Sequence, residues 1–271
     1  MKENITNNKD KRIKGKVVHH PIAKKEKGEV AREGYIFVKP GMTPREIVNA
    51  LRSLEGVCIT SVGMRDAGQS DFKNRHRIYD LKTLAPYYNK MGLFSAECHG
   101  GARWHVGIMN RRESPFEEIR ILRELMPNVM LQTLIRETNM WGYRPYPKNV
   151  IEYVVSKVDI DVWRCFSFLN DVRNMSSVAE VVMKRGRLFE PTISFTASGW
   201  ATVKYYLNVV KDIVDLCAGT DEIVLCIKDM AGVGDIKRIG NLIDSIKQKY
   251  PDLIVQYHRH ITDGLAMPAL L

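Results

Sequence analysis

The chain has few of the features that mark secreted, membrane or disulfide-stabilised proteins. Its 271 residues contain no apolar run near the roughly 20 residues that a helix needs to cross a bilayer. The polar, charged N-terminus lacks the apolar core of a signal peptide, so we expect no export. Five scattered cysteines form no Cys-x-x-Cys pair, which indicates a reducing cytoplasm and no disulfide framework.

The net charge of +10 is concentrated near the N-terminus. Residues 1–28 hold nine Lys or Arg against three Asp or Glu, and the charge of the remainder is ordinary. This composition predicts a solvated, disordered basic leader. An RNA-contacting tail is the alternative, but a charge confined to the leader argues against nucleic acid as the main partner.

Residues 29–56 form a short predicted strand–helix extension. A β-like run, Gly34–Lys39, precedes a helix whose start is readable in the sequence. Thr43 can cap this helix, Pro44 suits its first position, and Glu46 can close a capping box.

From residue 57 onward, β-branched-rich apolar runs alternate with amphipathic helical stretches. The runs start roughly 30 to 36 residues apart, which is typical of βα units with a parallel sheet. Length alone allows one barrel or two smaller domains. Predicted strands are Val57–Met64, Leu93–Cys98, Val129–Ile135, Ile160–Phe166, Pro191–Thr196, Glu222–Ile227 and Leu253–Tyr257, and predicted helices include Pro115–Met126, Val178–Arg185, Thr202–Leu216 and Asp235–Tyr250.

Seven βα units predict an α/β fold of the TIM (β/α)8 type, with residues 57–271 supplying all but one unit. An eighth strand and helix would need roughly 25–30 residues more than follow the seventh strand. We therefore expect that another segment or subunit closes the barrel, or that the chain is truncated. The alternative is that the Tyr35–Val38 run supplies the missing strand.

Polar side chains stand where the predicted strands end, which is where a β/α barrel keeps its chemistry. His258 and His260 lie at i and i+2 of a strand and so point to the same face. With Asp66 they could share a divalent ion of the zinc or manganese class. Lys228 ends a buried strand, where an unpaired charge is costly, so we expect it to be salt-bridged or chemically modified.

Eight separated motifs point to one family. They are Arg65-Asp66-Ala-x-Gln69-Ser70, Glu97-Cys-x-Gly-Gly-Ala102, Leu125-Met-Pro-Asn128 with Gln132-x-Leu-x-Arg136, Gly142-Tyr143, Asp161-Val-x-Arg164-x-Phe166, Asn170-Asp171, Ile227-Lys228-Asp-Met-Ala-Gly232 and His258-x-His260. In order and approximate spacing they resemble the carboxyltransferase domain of biotin-dependent enzymes: pyruvate carboxylase, the oxaloacetate decarboxylase α subunit and transcarboxylase. The resemblance covers about residues 57–271.

The resemblance implies a site and a reaction. It implies metal ligands at Asp66, His258, His260 and a carbamylated Lys228, which would hold zinc, manganese or cobalt. It implies substrate binding by Arg65, Gln69, Arg136 and Tyr143, with Arg65, Gln69 and Lys228 acting in catalysis. The implied reaction is carboxyl exchange between carboxybiotin and pyruvate, or its reverse from oxaloacetate. Biotin would be carried by another chain or domain, in a homo- or hetero-oligomer.

Several residues depart from the family pattern. The replacements at His105 and Ser167 each remove a carboxylate and Arg103 adds a cation, so we expect a more cationic mouth and an altered substrate preference. Arg164 is expected in a salt bridge at the barrel rim. The family's catalytic threonine lies beyond strand seven and has no match here. Arg259 is expected to place a cation between the two histidines. The departing positions are Gly68, His99, Arg103, His105, Glu137, Ser167 and Arg259.

Two other functions remain open from the sequence. One is a metal-dependent aldolase or acyl-CoA lyase of the same barrel superfamily, although those relatives bind metal without a carbamylated lysine at the position of Lys228. The other is a degenerate, non-catalytic paralogue that serves as an assembly or regulatory subunit.

Overall fold

A single parallel sheet forms the centre of the molecule. The computed structural model describes residues 38–54, 56–262 and 264. Within them, seven strands follow one another in chain order, and every neighbouring pair is parallel. The strands are β1 (Thr60–Ser61), β2 (Ser95–Gly100), β3 (Met130–Ile135), β4 (Val162–Phe166), β5 (Leu188–Ser194), β6 (Val224–Asp229) and β7 (Ile254–Arg259).

Helices connect the strands, and several begin at a side chain that caps their first turn. Thr202 and Asp235 accept hydrogen bonds from backbone N–H groups at the start of the two longest described helices. The helices are α1 (Pro44–Arg52), α2 (Gly68–Phe72), α3 (Ile78–Tyr88), α4 (Gly101–Val106), α5 (Pro115–Leu125), α6 (Lys148–Lys157), α7 (Ser176–Lys184), α8 (Val203–Leu216) and α9 (Ile236–Lys249).

The sheet curls until its two edge strands face each other. Seven strands in a flat sheet would place the first and last roughly 29 Å apart. Instead, Gln256 of β7 donates a hydrogen bond of 2.7 Å to the hydroxyl of Thr60 in β1. In the described part of the chain, β1 pairs only with β2 and β7 only with β6. The result is an open barrel with one gap.

Two apolar layers stabilise this barrel. The larger lies between the sheet and the outer helices, and the smaller covers the amino ends of the strands. In the smaller layer Ile47 and Val48 of α1 pack with residues such as Met130 and Val162. The helix α1 therefore covers the end of the barrel at which the strands begin.

The predicted order of strands and helices is confirmed, as is the capping box of Thr43 and Glu46 at α1. Strand one is much shorter than predicted: Val57 and Ile59 are exposed, and the chain leaves the strand before Met64. Residues 1–37, including the basic leader and most of the Tyr35–Val38 run, lie outside the described residues. No helix in the described ranges is long and apolar enough to span a membrane.

Candidate active site at the mouth of the barrel

A small cavity lies where the carboxyl ends of the strands meet. Its volume is about 190 Å³. Six of the eight residues singled out from the sequence line it, whereas His258 and Tyr143 contact lining residues from behind or beside it. The lining is Arg65, Asp66, Gln69, Gly101, Ala102, Leu134, Arg136, Phe166, Lys228, Met230 and His260.

A π-helical turn, Gly63–Ala67, presents Arg65 and Asp66 to this cavity. The backbone N–H groups of Asp66 and Ala67 both donate to the carbonyl of Val62, at 2.7 and 3.4 Å. Such widened turns are rare in proteins, and those that occur are often located at functional sites. It explains why strand one ends early: the chain must turn to bring the Asp66 carboxylate over the barrel.

Asp66, His258 and His260 bring three ligand atoms together. Oδ2 of Asp66 lies 3.1 Å from Nε2 of His260 and 3.6 Å from Nε2 of His258. All three ligand atoms lie within 4.8 Å of one another. Nε2 of His258 is buried and has no hydrogen-bond partner among the described residues. One carboxylate oxygen and two imidazole nitrogens suit zinc or manganese, so these residues fit a divalent ion.

The protonation states also suit a metal. Burial opposes the Asp66 charge, but the hydrogen bond from His260 and the charge of Arg65 outweigh burial and hold the pKa of this carboxyl well below its ordinary value. Burial, together with the charge of Arg164, lowers the pKa of His258 to about 3. The carboxylate is thus ionised and this imidazole neutral near pH 7, as metal ligands must be.

Lys228 lies beside the ligand group with an unneutralised charge. It pairs in register with His258 on the neighbouring strand. Its ammonium lies 4.5 Å from the centroid of the Phe166 ring, and no carboxylate of the described residues lies within ion-pair distance. Burial, with the charges of Arg65 and Arg164, lowers the pKa of Lys228 to about 8. Of the two expectations for this lysine, the salt bridge is therefore wrong.

Arg136 is a cation of the cavity without a carboxylate partner among the described residues. Its guanidinium lies on Gly101, where an added Cβ would come within 2.0 Å of Nη1, so a side chain at this position would displace it. The Arg136 Cζ also lies over the Tyr143 ring, 5.2 Å from the ring centroid. Tyr143 itself is 65% exposed. The arrangement leaves Arg136 available for an anionic ligand.

Arg65, by contrast, is already paired. It contacts the fully buried carboxylate of Glu97 at 2.5 Å and that of Asp66 at 3.2 Å. Burial opposes the charge on Glu97, yet Arg65 and Arg164 lower the pKa of this carboxyl to about 2. These two carboxylates therefore fix the orientation of the Arg65 guanidinium in the absence of a ligand.

The departures from the family pattern mostly lie away from the cavity, so the expectation of a more cationic mouth from Arg103 is wrong. Arg103 is completely buried against Glu118, behind the barrel. His99 lies edge-on against the stacked rings of Trp104 and Trp141.

At Gly68, an added Cβ would lie 2.2 Å from the His76 ring, which therefore occupies the space that a side chain there would need. Ser167 is buried and accepts a hydrogen bond from the backbone of Asp171. Glu137 has a left-handed φ of 51° in the loop after β3. His105 alone of this set contacts a predicted substrate residue, since its ring lies 5.6 Å from that of Tyr143.

Two arginines are placed differently from expectation. Arg164 is not at the rim: it lies inside the barrel, 1% exposed, and pairs with Glu190 and Glu97. Arg259 does not project between the two histidines into the mouth, because its side chain turns to Asp229 and donates to the carbonyl of Gly232. Both corrections follow from strand alternation and burial, which decide the face on which a side chain lies.

Sequence reasoning assigned no role to Glu97, Phe166 or Met230. Glu97 and Phe166 lie within motifs, and the only available signal was their position at strand ends. Met230 gave none.

The chain is similar to known proteins over most of its length. Pyruvate carboxylase 1 of Caenorhabditis elegans is 35% identical over 96% of this chain. The methylmalonyl-CoA carboxyltransferase 5S subunit of Propionibacterium freudenreichii is 35% identical over 85% of it. The solved carboxyl transferase domain of Rhizobium etli pyruvate carboxylase, with pyruvate and biocytin, superposes on 84% of the chain with a TM-score of 0.77 and 31% identity.

The chain spans less than half of each relative: 23% of the nematode protein, 45% of the 5S subunit and 40% of the Rhizobium domain. No protein-family model matches the chain.

Proposed function

We propose that this chain, a homologue of the carboxyltransferase domain of biotin-dependent enzymes, transfers a carboxyl group between carboxybiotin and pyruvate, or in reverse from oxaloacetate. The observation that carries the proposal is one small cavity in which a three-residue metal-ligand group faces an arginine that no carboxylate of the described chain neutralises. A volume of about 190 Å³ suits a three- or four-carbon acid better than a large ligand.

The chain's own residues divide the work on an α-keto acid. Arg136 would bind the substrate carboxylate, and the Tyr143 ring lies against its guanidinium. Arg65, held by Glu97 and Asp66, would direct its charge at the oxygen on which enolate charge develops. Gln69 lines the same cavity and would donate a hydrogen bond to the substrate.

A divalent ion held by Asp66, His258 and His260 would supply a Lewis acid for the keto oxygen. We propose that Lys228 completes this ligand set as a carbamate. In support, the lysine is buried, has no ion pair with any described residue, and is deprotonated more easily than an exposed lysine. Reaction of the neutral amine with CO₂ would release one proton and replace the buried cation by an oxygen ligand.

Other parts of the assembly are also proposals. Biotin would reach the mouth on another chain or domain, as the 5S relative's description as one subunit suggests. A further βα unit, from another segment or chain, would fill the gap between β7 and β1. The whole would form a homo- or hetero-oligomer, and a cytoplasmic location stays a prediction.

Oxaloacetate decarboxylation with added free biotin tests the proposed function. We expect measurable turnover in the metal-loaded protein. Arg136→Gln should raise KM for oxaloacetate more than it lowers kcat, because it removes a carboxylate contact made before and during the reaction. Arg185→Gln, at an exposed arginine outside the cavity, is the matched control and should leave both constants unchanged.

No turnover and no metal binding under any condition would contradict the proposal and favour a non-catalytic assembly or regulatory subunit.

Native mass spectrometry in bicarbonate buffer tests the carbamate. The intact protein should gain the mass of one CO₂, and Lys228→Arg should not. Metal binding by a protein that never gains this mass would favour a metal-dependent aldolase or lyase of the same barrel type.

A further inference from the structure

Below the metal-ligand group, six polar side chains form a closed ring of hydrogen bonds inside the barrel. They come from five strands, and four of them are more than nine-tenths buried. We call this set the lumen ring. Its members, in the order in which they are hydrogen-bonded, are Thr60, Ser95, Gln132, Glu97, Arg164 and Gln256.

The donors and acceptors of the ring have one consistent order. Arg164 donates to Glu97 at 3.0 Å and to Oε1 of Gln256 at 2.7 Å. This fixes the Gln256 amide, whose Nε2 then donates to the Thr60 hydroxyl at 2.7 Å.

From Thr60 onward each member again donates to the next. The Thr60 hydroxyl is left to donate to Ser95 at 2.9 Å, and Ser95 donates to Oε1 of Gln132 at 2.7 Å. Nε2 of Gln132 donates to Glu97 at 3.2 Å, which closes the ring. Each member therefore depends on its neighbours for its orientation.

The ring crosses the gap in the barrel. In the described ranges no backbone hydrogen bond joins β7 to β1, yet the ligand group straddles that gap: Asp66 follows β1, and His258 and His260 end at β7. Gln256 and His258 alternate onto the same face of β7. The Gln256–Thr60 bond thus joins the two edge strands directly beneath the ligands.

The ring also contacts the ligand group at two points. Nη1 of Arg164 lies 3.4 Å from Nδ1 of His258. Glu97 holds Arg65, which in turn pairs with Asp66. A change in the ring would move both sides of the ligand group.

We infer that Thr60 and Gln256 are positioning residues: through the lumen ring they set the distance across the β7–β1 gap at which Asp66, His258 and His260 bind one ion. The inference rests on the proposed metal site. Neither residue touches the ion or the substrate cavity, and both act through the strands that carry the ligands.

Calorimetric titration of the purified chain with Zn²⁺ tests this. Thr60→Val keeps the side-chain shape but removes the hydroxyl that links Gln256 to Ser95. We expect it to raise the Zn²⁺ dissociation constant about tenfold, the size typical of residues that orient metal ligands. Gln256→Leu should have a similar effect. The double variant should be no weaker than Gln256→Leu alone, because both changes open the same ring.

Thr133→Val is the matched control. Thr133 is a buried threonine with two side-chain hydrogen bonds, to Trp141 and to the carbonyl of His99, outside the ring. Removal of the Thr133 hydroxyl should lower the melting temperature as much as Thr60→Val does, but it should leave the Zn²⁺ dissociation constant unchanged.

If the wild type binds Zn²⁺ and both Thr60→Val and Gln256→Leu bind it with the same dissociation constant as the wild type, the inference is overturned. The proposed metal site would not be affected by this result. The same holds if Thr133→Val weakens binding equally. Absence of binding in the wild type would instead overturn the metal site and, with it, the inference.

Discussion

Two clusters of buried arginine and glutamate side chains differ in where they lie and what they contact. The lumen cluster is Arg65, Glu97, Arg164 and Glu190, carried mainly by strands inside the barrel. The shell cluster is Arg103, Arg111 and Glu118, carried by α4, the segment after it, and α5 behind the barrel. In both, two arginines share a fully or almost fully buried carboxylate.

Only the lumen cluster is joined to the site. Its members contact Asp66 and His258, whereas the shell cluster contacts His76 and the helices. Burial and charge alone therefore do not show that a cluster belongs to the functional site. Contact with the proposed ligand residues does show it. We expect the same arginine substitution to cost a different free energy of unfolding in the two clusters.

The largest expected effect is on stability, from Arg164→Met. Among the described residues Arg164 is the ion-pair partner of Glu190, so the substitution leaves a buried carboxylate uncompensated and should cost about 3–5 kcal/mol. Arg103→Met should cost less, since Glu118 keeps Arg111 at 3.0 Å.

Denaturant unfolding of the two variants compares these costs. An equal or greater loss in Arg103→Met would contradict the difference drawn between the clusters.

A smaller effect concerns the pH dependence of stability at the shell cluster. Burial, together with the charges of Arg103 and Arg111, places the pKa of His99 well below its ordinary value. The unfolded state therefore binds a proton that the native state does not, and stability falls as pH drops through about 6.5. Between pH 7 and pH 5 this one group should cost about 2 kcal/mol.

His99→Phe should remove that part of the pH dependence, because phenylalanine can pack edge-on against Trp104 and Trp141 without titrating. The measurement is the free energy of unfolding at both pH values. The same slope in the variant and the wild type would show that His99 does not contribute.

The smallest effect concerns the bottom of the barrel. Thr43 caps α1 through the backbone N–H of Glu46, and Thr43→Ala should cost about 1 kcal/mol. Since α1 covers the amino ends of the strands, metal affinity should not change. A weaker metal affinity in Thr43→Ala would mean that the two ends of the barrel are coupled.

Much of this fold follows from local sequence signals. Apolar runs at a regular interval predict parallel βα units, and Thr43-Pro44 marks the start of α1 because capping is a local interaction. The ligand residues Asp66, His258 and His260 are predictable because the carboxyl ends of parallel strands converge.

The lumen cluster is not predictable in the same way. The partners of Arg164 come from three strands distant in sequence, so nothing near it shows that it lies inside the barrel. The π-helical turn at Asp66 also has no sequence signature, and it is what shortens β1. His99 and Arg103 looked like mouth residues because they follow the predicted strand Leu93–Cys98. In the structure His99 is still part of β2 and is buried, and Arg103 lies on α4 with its side chain buried in the shell.

The central claim is that the mouth of this barrel binds one divalent ion through Asp66, His258 and His260. Equilibrium dialysis against Zn²⁺ or Mn²⁺, followed by elemental analysis, tests it directly in the wild type, Asp66→Asn and His260→Ala. We predict about one ion per chain in the wild type and a loss of binding in both variants. A wild type that retains no ion, or an Asp66→Asn variant that retains it fully, would contradict the claim.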